Sequence, residues 1–268
     1  MKNLTRYNGW ALVTGASSGI GEAFARQIAA QGIDCMLIAL ETDATKLEAL
    51  AAELAAQHGI ACLPLTQDLA APDAVEKTLA AIGDRPVGLL INNAGFGVGG
   101  AFATRPPSKI EQLLHVHCRT PLLLTRALLP GMIARRAGAV VFVSSLIGAT
   151  PTPFEATYSA CKAFILNLGQ ALWGELRGTG VDVVTIYPGA TRTRFFEVEG
   201  IGEKDRRRLL RLAASPDYVA RLALRNLGRK PVVAPPQAWA GAMLARFVTR
   251  RFAIRAAQSL VRLLVHYR

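Results

Sequence analysis

Short apolar runs rich in β-branched residues alternate along the first two-thirds of the chain with longer stretches rich in alanine and leucine. The runs predict strands over residues 10–14, 35–39, 61–66, 88–92, 139–144 and 181–187. The stretches between them predict helices over 19–31, 45–58, 72–82, 107–135 and 157–177. Val140-Val141-Phe142-Val143 has no polar break, the mark of a strand buried on both faces. The alternation predicts an α/β fold, a doubly wound and mostly parallel sheet of Rossmann type. No repeat, low-complexity tract or linker divides the chain. We expect one domain over residues 1–236 and a divergent helical C-terminal extension over 237–268.

Composition narrows the class. Of 268 residues, 51% are hydrophobic and 19% charged, which excludes bulk disorder. Cys35, Cys62, Cys118 and Cys161 are widely spaced, with no pair or His cluster at metal-ligand spacing. Neither a metal nor a disulfide framework is expected. Free thiols and an N-terminus without a signal-peptide core fit a cytoplasmic protein. The uncharged stretch 231–245 is too short to span a bilayer and holds three prolines.

The net charge of +12 is unevenly placed: residues 1–189 hold 14 basic and 14 acidic side chains, and 190–268 hold 17 and 5. After Asp217 no acidic residue follows. Arg251, Arg255 and Arg262 fall on one helical face, while Phe247, Phe252, Ile254, Val261, Leu263, Leu264 and Val265 cover much of the rest. Such a helix can lie at an anionic membrane surface, pack on a second subunit or an acidic carrier, or roof the active site. Stacking aromatics are sparse and no base-reading module is present, so no nucleic-acid partner is expected.

The first predicted strand ends in Thr14-Gly15-Ala16-Ser17-Ser18-Gly19-Ile20-Gly21, and a helix follows at once. Backbone N–H groups and the helix N-terminus converge there on a point that favours an anion. Gly15 suits the turn, Gly19 a close backbone approach to a pyrophosphate, and Gly21 tight helix–strand packing. Read alone, this is also the pattern of a plain Gly-rich turn.

Further motifs follow in order: Asp68-Leu69, Asn92-Asn93-Ala94-Gly95, Ser144-Ser145, Tyr158-Ser159-Ala160-Cys161-Lys162 and Pro188-Gly189-Ala190-Thr191-Arg192-Thr193. Each falls at a strand's carboxyl end or the start of the next helix, where open α/β sheets bind ligands. Over about residues 8–195 the sequence resembles the classical short-chain dehydrogenase/reductase family. The resemblance implies a nicotinamide cofactor held by Gly15, Ser17, Ser18, Gly19, Ile20, Gly21, Asp68, Leu69, Asn92, Ala94, Gly95, Tyr158, Lys162, Pro188, Gly189, Thr191 and Thr193. It also implies a homodimer or homotetramer built on the helices 107–135 and 157–177.

Tyr158 and Lys162 are four apart on a predicted helix and share a face. A phenol titrates near 10 in isolation, and a neighbouring ammonium favours its phenolate. By resemblance, Ser145 holds the substrate oxygen, Tyr158 exchanges its proton, and Lys162 also holds the nicotinamide ribose. His117 stands where the family usually has an Asn that completes a proton relay to the lysine. A histidine there can carry a proton, shifting the pH dependence towards neutrality, or can simply pack in the helix.

Glu41 lies twenty residues after Gly21, at the end of the second strand, where a carboxylate accepts from the 2′-OH of the adenosine ribose and repels a 2′-phosphate. NAD(H) is accordingly favoured over NADP(H). Arg192, Arg194, Lys204, Arg206, Arg207, Arg208 and Arg211, with Phe195-Phe196, fall in the segment the family uses to cover substrate. They suit a hydrophobic substrate with an anionic handle, such as an acyl thioester, or form a solvated basic helix. The expected activity is hydride transfer between nicotinamide and a carbonyl or secondary alcohol. The alternative is a cofactor-binding relative with weak or lost catalysis, recruited to a membrane or partner by its tail.

Overall fold

The computed structural model describes residues 3–193, 195, 203, 207, 210, 211 and 213–264. Seven strands pair in parallel: β1 (Trp10–Thr14), β2 (Cys35–Ala39), β3 (Cys62–Thr66), β4 (Val87–Asn92), β5 (Gly138–Val143), β6 (Val181–Ile186) and β7 (Val232–Val233). Their order is β3-β2-β1-β4-β5-β6-β7. Chain order reverses between β1 and β4, which opens a crevice at the carboxyl ends of these two strands.

Successive strand residues point to opposite faces. Ala11, Val13, Leu37 and Ile91 pack with α1 (Gly19–Ala29), α2 (Ala44–His58) and a helix late in the chain, α7 (Pro216–Asn226). Leu12, Ile38, Leu90 and Phe142 pack with α3 (Ala74–Ile82), α5 (Thr120–Ala134) and α6 (Ala156–Glu175) on the other side. Phe142 is fully buried. Cutting such a side chain to alanine costs about 3–5 kcal/mol, much of a domain's ~5–15 kcal/mol of stability.

The first six strands end within one residue of the sequence expectation, and the shorter helices within two. The helix expected over 107–135 is instead broken into α4 (Pro107–Leu114), a π-helical turn (His115–Arg119) and α5. Pro121 has no N–H to give the His117 carbonyl, so the regular ladder cannot run through this point. The wider turn takes up the break, and His117 is buried. Neither β7 nor α7 was expected. Yet α7 carries a legible start, with Ser215 accepting from the Tyr218 N–H and Pro216 in its first turn.

The C-terminal segment forms α8 (Pro236–Phe247) and α9 (Arg250–Leu264). It docks on the loops that follow β5. Gly241 of α8 packs against the Leu146 side chain, and the Arg262 guanidinium of α9 lies 5.3 Å over the Phe154 ring. Phe154 takes a left-handed φ of 69°, and its carbonyl accepts from the Gly100 N–H at 2.8 Å. Of the three places considered for the tail, the structure shows contact with the chain's own loops beside the crevice. The expected contributions of Phe247, Leu263, Leu264 and Val265 lie outside the described side chains. No helix among the described residues is long and apolar enough to cross a membrane.

Candidate active site

The turn after β1 is shaped by backbone crowding. A methyl group on Gly21 would lie 2.0 Å from the Gly15 carbonyl oxygen, and one on Gly15 would lie 2.8 Å from the Ala94 Cα. Gly19 has a φ of +61°, and a methyl there would meet the Thr193 side chain at 2.7 Å. The turn, the Asn92–Gly95 loop and the Pro188–Thr193 segment therefore converge on one place. Ser18 caps α1 without a side-chain hydrogen bond, which leaves the first-turn N–H groups without a competing side-chain cap. This cradle fits a dinucleotide pyrophosphate: its donors are backbone N–H groups, and its glycines keep side chains out of the approach.

Two residues absent from the expected site hold the cradle together. Thr14 Oγ1 donates to the Ile91 carbonyl at 3.1 Å and accepts from the Asn93 and Ala94 N–H groups, each at 3.0 Å. Asn93 Nδ2 donates to the Thr14 carbonyl at 2.9 Å and to the Gly15 carbonyl at 3.2 Å. The signal was present, since Thr14 opens the first motif and Asn93 lies inside the third.

At the adenosine end, Glu41 lies exposed on a 3₁₀ turn (Glu41–Asp43) directly after β2. Ser17 Oγ donates to Asp43 Oδ2 at 2.9 Å. Asp43 is thus a second carboxylate at the edge of the cradle, two residues beyond the one singled out from sequence. Asp68 caps its own turn through the Ala70 N–H, and the carbonyl of buried Leu69 accepts from Thr120 Oγ1 at 2.8 Å. Ile20 packs partly into the core beneath the cradle. On the opposite side, the Pro188 carbonyl accepts from the Leu146 N–H at 2.9 Å, and Thr191 Oγ1 donates to the Gly189 carbonyl at 3.1 Å.

The candidate reacting groups come from the turn after β5 and from α6. Ser145 caps the 3₁₀ turn Leu146–Ala149, its Oγ accepting from the Ile147 N–H. Ser159 Oγ donates to the Ile147 carbonyl at 3.1 Å and so ties that turn to α6 beside Tyr158. Ser144 Oγ donates to the Lys162 carbonyl at 2.7 Å, and Lys162 Nζ donates to the Val143 carbonyl at 2.9 Å. Lys162 Nζ is 5.7 Å from the centre of the Tyr158 ring. Burial pushes the Lys162 ammonium down to about 8, with Cys161 and Cys118 acting the other way.

Tyr158 is buried among aromatic rings, edge-on to His117 at 5.4 Å and tilted against Phe195 at 5.6 Å. His117 Nε2 lies 2.8 Å from the Phe96 carbonyl oxygen and 3.1 Å from the Phe96 nitrogen, so it donates to the one or accepts from the other according to its tautomer. Burial, then the Lys162 charge, hold the His117 ring well below the ordinary histidine range. It is therefore neutral at neutral pH. A methyl group on Gly95 would lie 2.3 Å from His117 Cε1, so the glycine makes room for the ring.

A cavity of about 10 Å³, room for one water, is lined by Thr14, Asn92, His117, Lys162 and their apolar neighbours. Asn92 Nδ2 donates to Thr125 Oγ1 at 3.1 Å. Asn92 Oδ1 and His117 Nδ1 are both buried and have no protein partner among the described residues. The cavity thus joins the lysine to two buried polar atoms that lack a protein partner. Of the covering segment, Arg192 is exposed, Phe195 touches Tyr158, and Arg207 pairs with Glu203. Arg194, Phe196, Lys204, Arg206 and Arg208 lie outside the described residues.

Comparison with known proteins agrees with this geometry. A family model described as short chain dehydrogenase matches residues 9–203. A very-long-chain 3-oxoacyl-CoA reductase of Phaeosphaeria nodorum is 33% identical over 226 residues, covering 82% of this chain and 63% of the relative. The chain spans between 51% and 63% of the length of the curated relatives that head the comparison. A solved 7beta-hydroxysteroid dehydrogenase superposes with a TM-score of 0.88 at 29% identity, over 95% of this chain and 99% of that one. A short-chain dehydrogenase from Sphingobium yanoikuyae, in complex with NADPH, gives a TM-score of 0.77 at 32% identity, over 90% and 96%. The chain belongs to the short-chain dehydrogenase family.

Proposed function

We propose that the protein reduces the carbonyl group of a hydrophobic substrate, or oxidises the matching secondary alcohol, with Tyr158 as the proton donor or acceptor. The observation that carries this reading is the buried Tyr158–Lys162 pair, tied to the carboxyl end of β5 beside a cradle fitted to a dinucleotide. Gly15, Ser17, Ser18, Gly19, Ile20, Gly21, Ala94, Gly95 and the Pro188–Thr193 segment would hold the cofactor. Bound there, a nicotinamide supplies or accepts the hydride. Ser145 and Tyr158 hold the substrate oxygen, and the Tyr158 hydroxyl gives it a proton as charge develops. The Lys162 ammonium favours the phenolate left behind. In this reading a water in the cavity between Lys162, Asn92 and His117 accepts from the Lys162 ammonium and donates to Asn92 Oδ1 and His117 Nδ1, which holds the cation in place. His117 acts there as a neutral acceptor through Nδ1.

The aromatic wall of Phe96, His117 and Phe195 around Tyr158 supports an apolar substrate. Arg192 is exposed within the Pro188–Thr193 segment and supports an anionic handle on the substrate. An acyl thioester combines the two features, and the Phaeosphaeria relative is named for such a substrate. Glu41 and Asp43 at the ribose edge support NAD(H) over NADP(H), in contrast to the Sphingobium complex. Exposed Leu114, Leu122 and Phe164 on α4, α5 and α6 support a homodimer or homotetramer through these helices. On α9, exposed Arg251 and Arg255 beside Phe252 and Leu260 support contact with an anionic membrane or acidic carrier.

Following nicotinamide absorbance with bulky ketones, secondary alcohols and 3-oxoacyl thioesters tests the reading. Turnover of the thioesters or bulky ketones is expected. A protein that binds the cofactor yet turns over no member of the panel contradicts it.

A further inference from the structure

Two of the four cysteines meet beside the reacting groups. Cys118 lies in the π-helical turn, next to His117, and Cys161 lies on α6, between Tyr158 and Lys162 in sequence. Cys161 is buried with Tyr158 and Leu113, and Cys118 packs against the same cluster, partly exposed. The two thiols share this cluster closely enough for each to be the strongest influence on the other's titration. We propose that Cys118 and Cys161 are an oxidisable dithiol that a peroxide converts to a disulfide, and that this bond switches off the neighbouring site. The chemistry rests on the packing of the two sulfurs; only the consequence for activity rests on the function proposed above.

The local electrostatics favour one sulfur as the nucleophile. The neighbouring Cys118 thiol, and then the Lys162 ammonium, draw the Cys161 thiol below its ordinary range, whereas the Cys118 thiol is raised. The thiolate is the reactive form. The Cys161 thiolate attacks one oxygen of hydrogen peroxide and the O–O bond breaks. The departing hydroxide takes the proton that Cys161 has released and leaves as water. The resulting sulfenic acid is attacked by the Cys118 sulfur, an S–S bond forms, and the displaced hydroxyl leaves as a second water with the Cys118 proton. Two thiols lose two electrons and two protons, and one peroxide becomes two waters.

The bond alters the site because it shortens a contact. A disulfide brings its sulfurs to about 2.05 Å, closer than any hydrogen-bonded approach of two thiols. The strain falls on the π-helical turn, the irregular segment that positions His117, and on the turn of α6 that carries Tyr158 and Lys162. The molecule also holds an internal contrast. Cys35 and Cys62 are register partners on β2 and β3. Burial raises the Cys62 thiol to about 11 and the Cys35 thiol further, and Cys35 Sγ donates to the Ile33 carbonyl. That pair stays reduced under the same treatment.

The test treats the full chain with hydrogen peroxide, then maps its disulfides by peptide mass and measures cofactor-linked turnover. A Cys118–Cys161 link is expected, with a loss of turnover of about tenfold or more, since a displacement near 1 Å can cost about 100-fold, and with recovery on addition of a dithiol reductant. Cys118→Ser and, separately, Cys118→Ala should keep turnover near the untreated level and resist the loss. Absence of the link, or a linked protein with full turnover, overturns the proposal. If the untreated protein has no turnover, the function proposed above fails, and the mass map alone still decides whether the dithiol forms.

Discussion

Lys162 Nζ stands 5.7 Å from the centre of the Tyr158 ring while donating a 2.9 Å hydrogen bond to the Val143 carbonyl. The last residue of β5 thus fixes the cation beside a phenol one helical turn away. Replacing Lys162 with methionine keeps much of the packing and removes the charge. A fall in kcat of about 100-fold or more is expected, in the range for losing a group that supports proton transfer. Steady-state kinetics with circular dichroism as a folding control measures it.

The Lys162 ammonium, pushed by burial to about 8, gives the reaction a pH signature. Carbonyl reduction needs the Tyr158 proton and the ammonium, so the rate should fall as pH rises through about 8. A pH profile of kcat/KM for reduction checks this, and the limb should disappear in Lys162→Met. Stability runs the other way. Between pH 8 and 10.5 the unfolded chain binds this proton more tightly than the folded one, so this group's penalty on folding is relieved as pH rises across that window. Urea melts of the cofactor-free protein at several pH values read it directly.

His117 is expected to work as a neutral acceptor, and that separates two substitutions. Asparagine can also present an acceptor, so His117→Asn should retain turnover within about threefold, whereas His117→Ala should lose about tenfold, less than the ~100- to 10,000-fold expected for a group that exchanges the proton itself. Equal, unchanged rates in both variants would dismiss the role. Gly95→Ala is expected to lower turnover, because its methyl group collides with the ring. His117→Asn should partly restore it.

Cofactor choice is read at Glu41 and Asp43. Titration of the protein with NADH and NADPH by intrinsic fluorescence should show tighter binding of NADH. Glu41→Arg combined with Asp43→Ser replaces repulsion of a 2′-phosphate with attraction and should move the preference towards NADPH by about tenfold or more, or ~1.4 kcal/mol. Equal affinities in the unaltered protein contradict the assignment.

Much of this architecture was legible because it is local. The strand β5 could be read from an unbroken apolar run, and the cradle from glycines whose side-chain hydrogens are all the space allows. The break in the long helix was less visible. It depends on how one proline, Pro121, meets a carbonyl a turn earlier, and apolar periodicity continues on both sides. The neutrality of His117 was hidden for another reason: it follows from burial beside Lys162, a contact between segments distant in sequence. Asp43 was overlooked beside the better-placed Glu41, and the Cys118–Cys161 contact leaves no trace in cysteine spacing. The docking of the tail through Arg262 and Phe154 likewise depends on tertiary packing that an amphipathic pattern leaves open.

The most direct test of the account is the rate of carbonyl reduction by Tyr158→Phe, with NADH affinity measured on the same protein. The ring and its packing against His117 and Phe195 remain, and only the hydroxyl is lost. The account predicts a fall in kcat of about 100- to 10,000-fold with NADH affinity nearly unchanged. Turnover at the unaltered rate would contradict it.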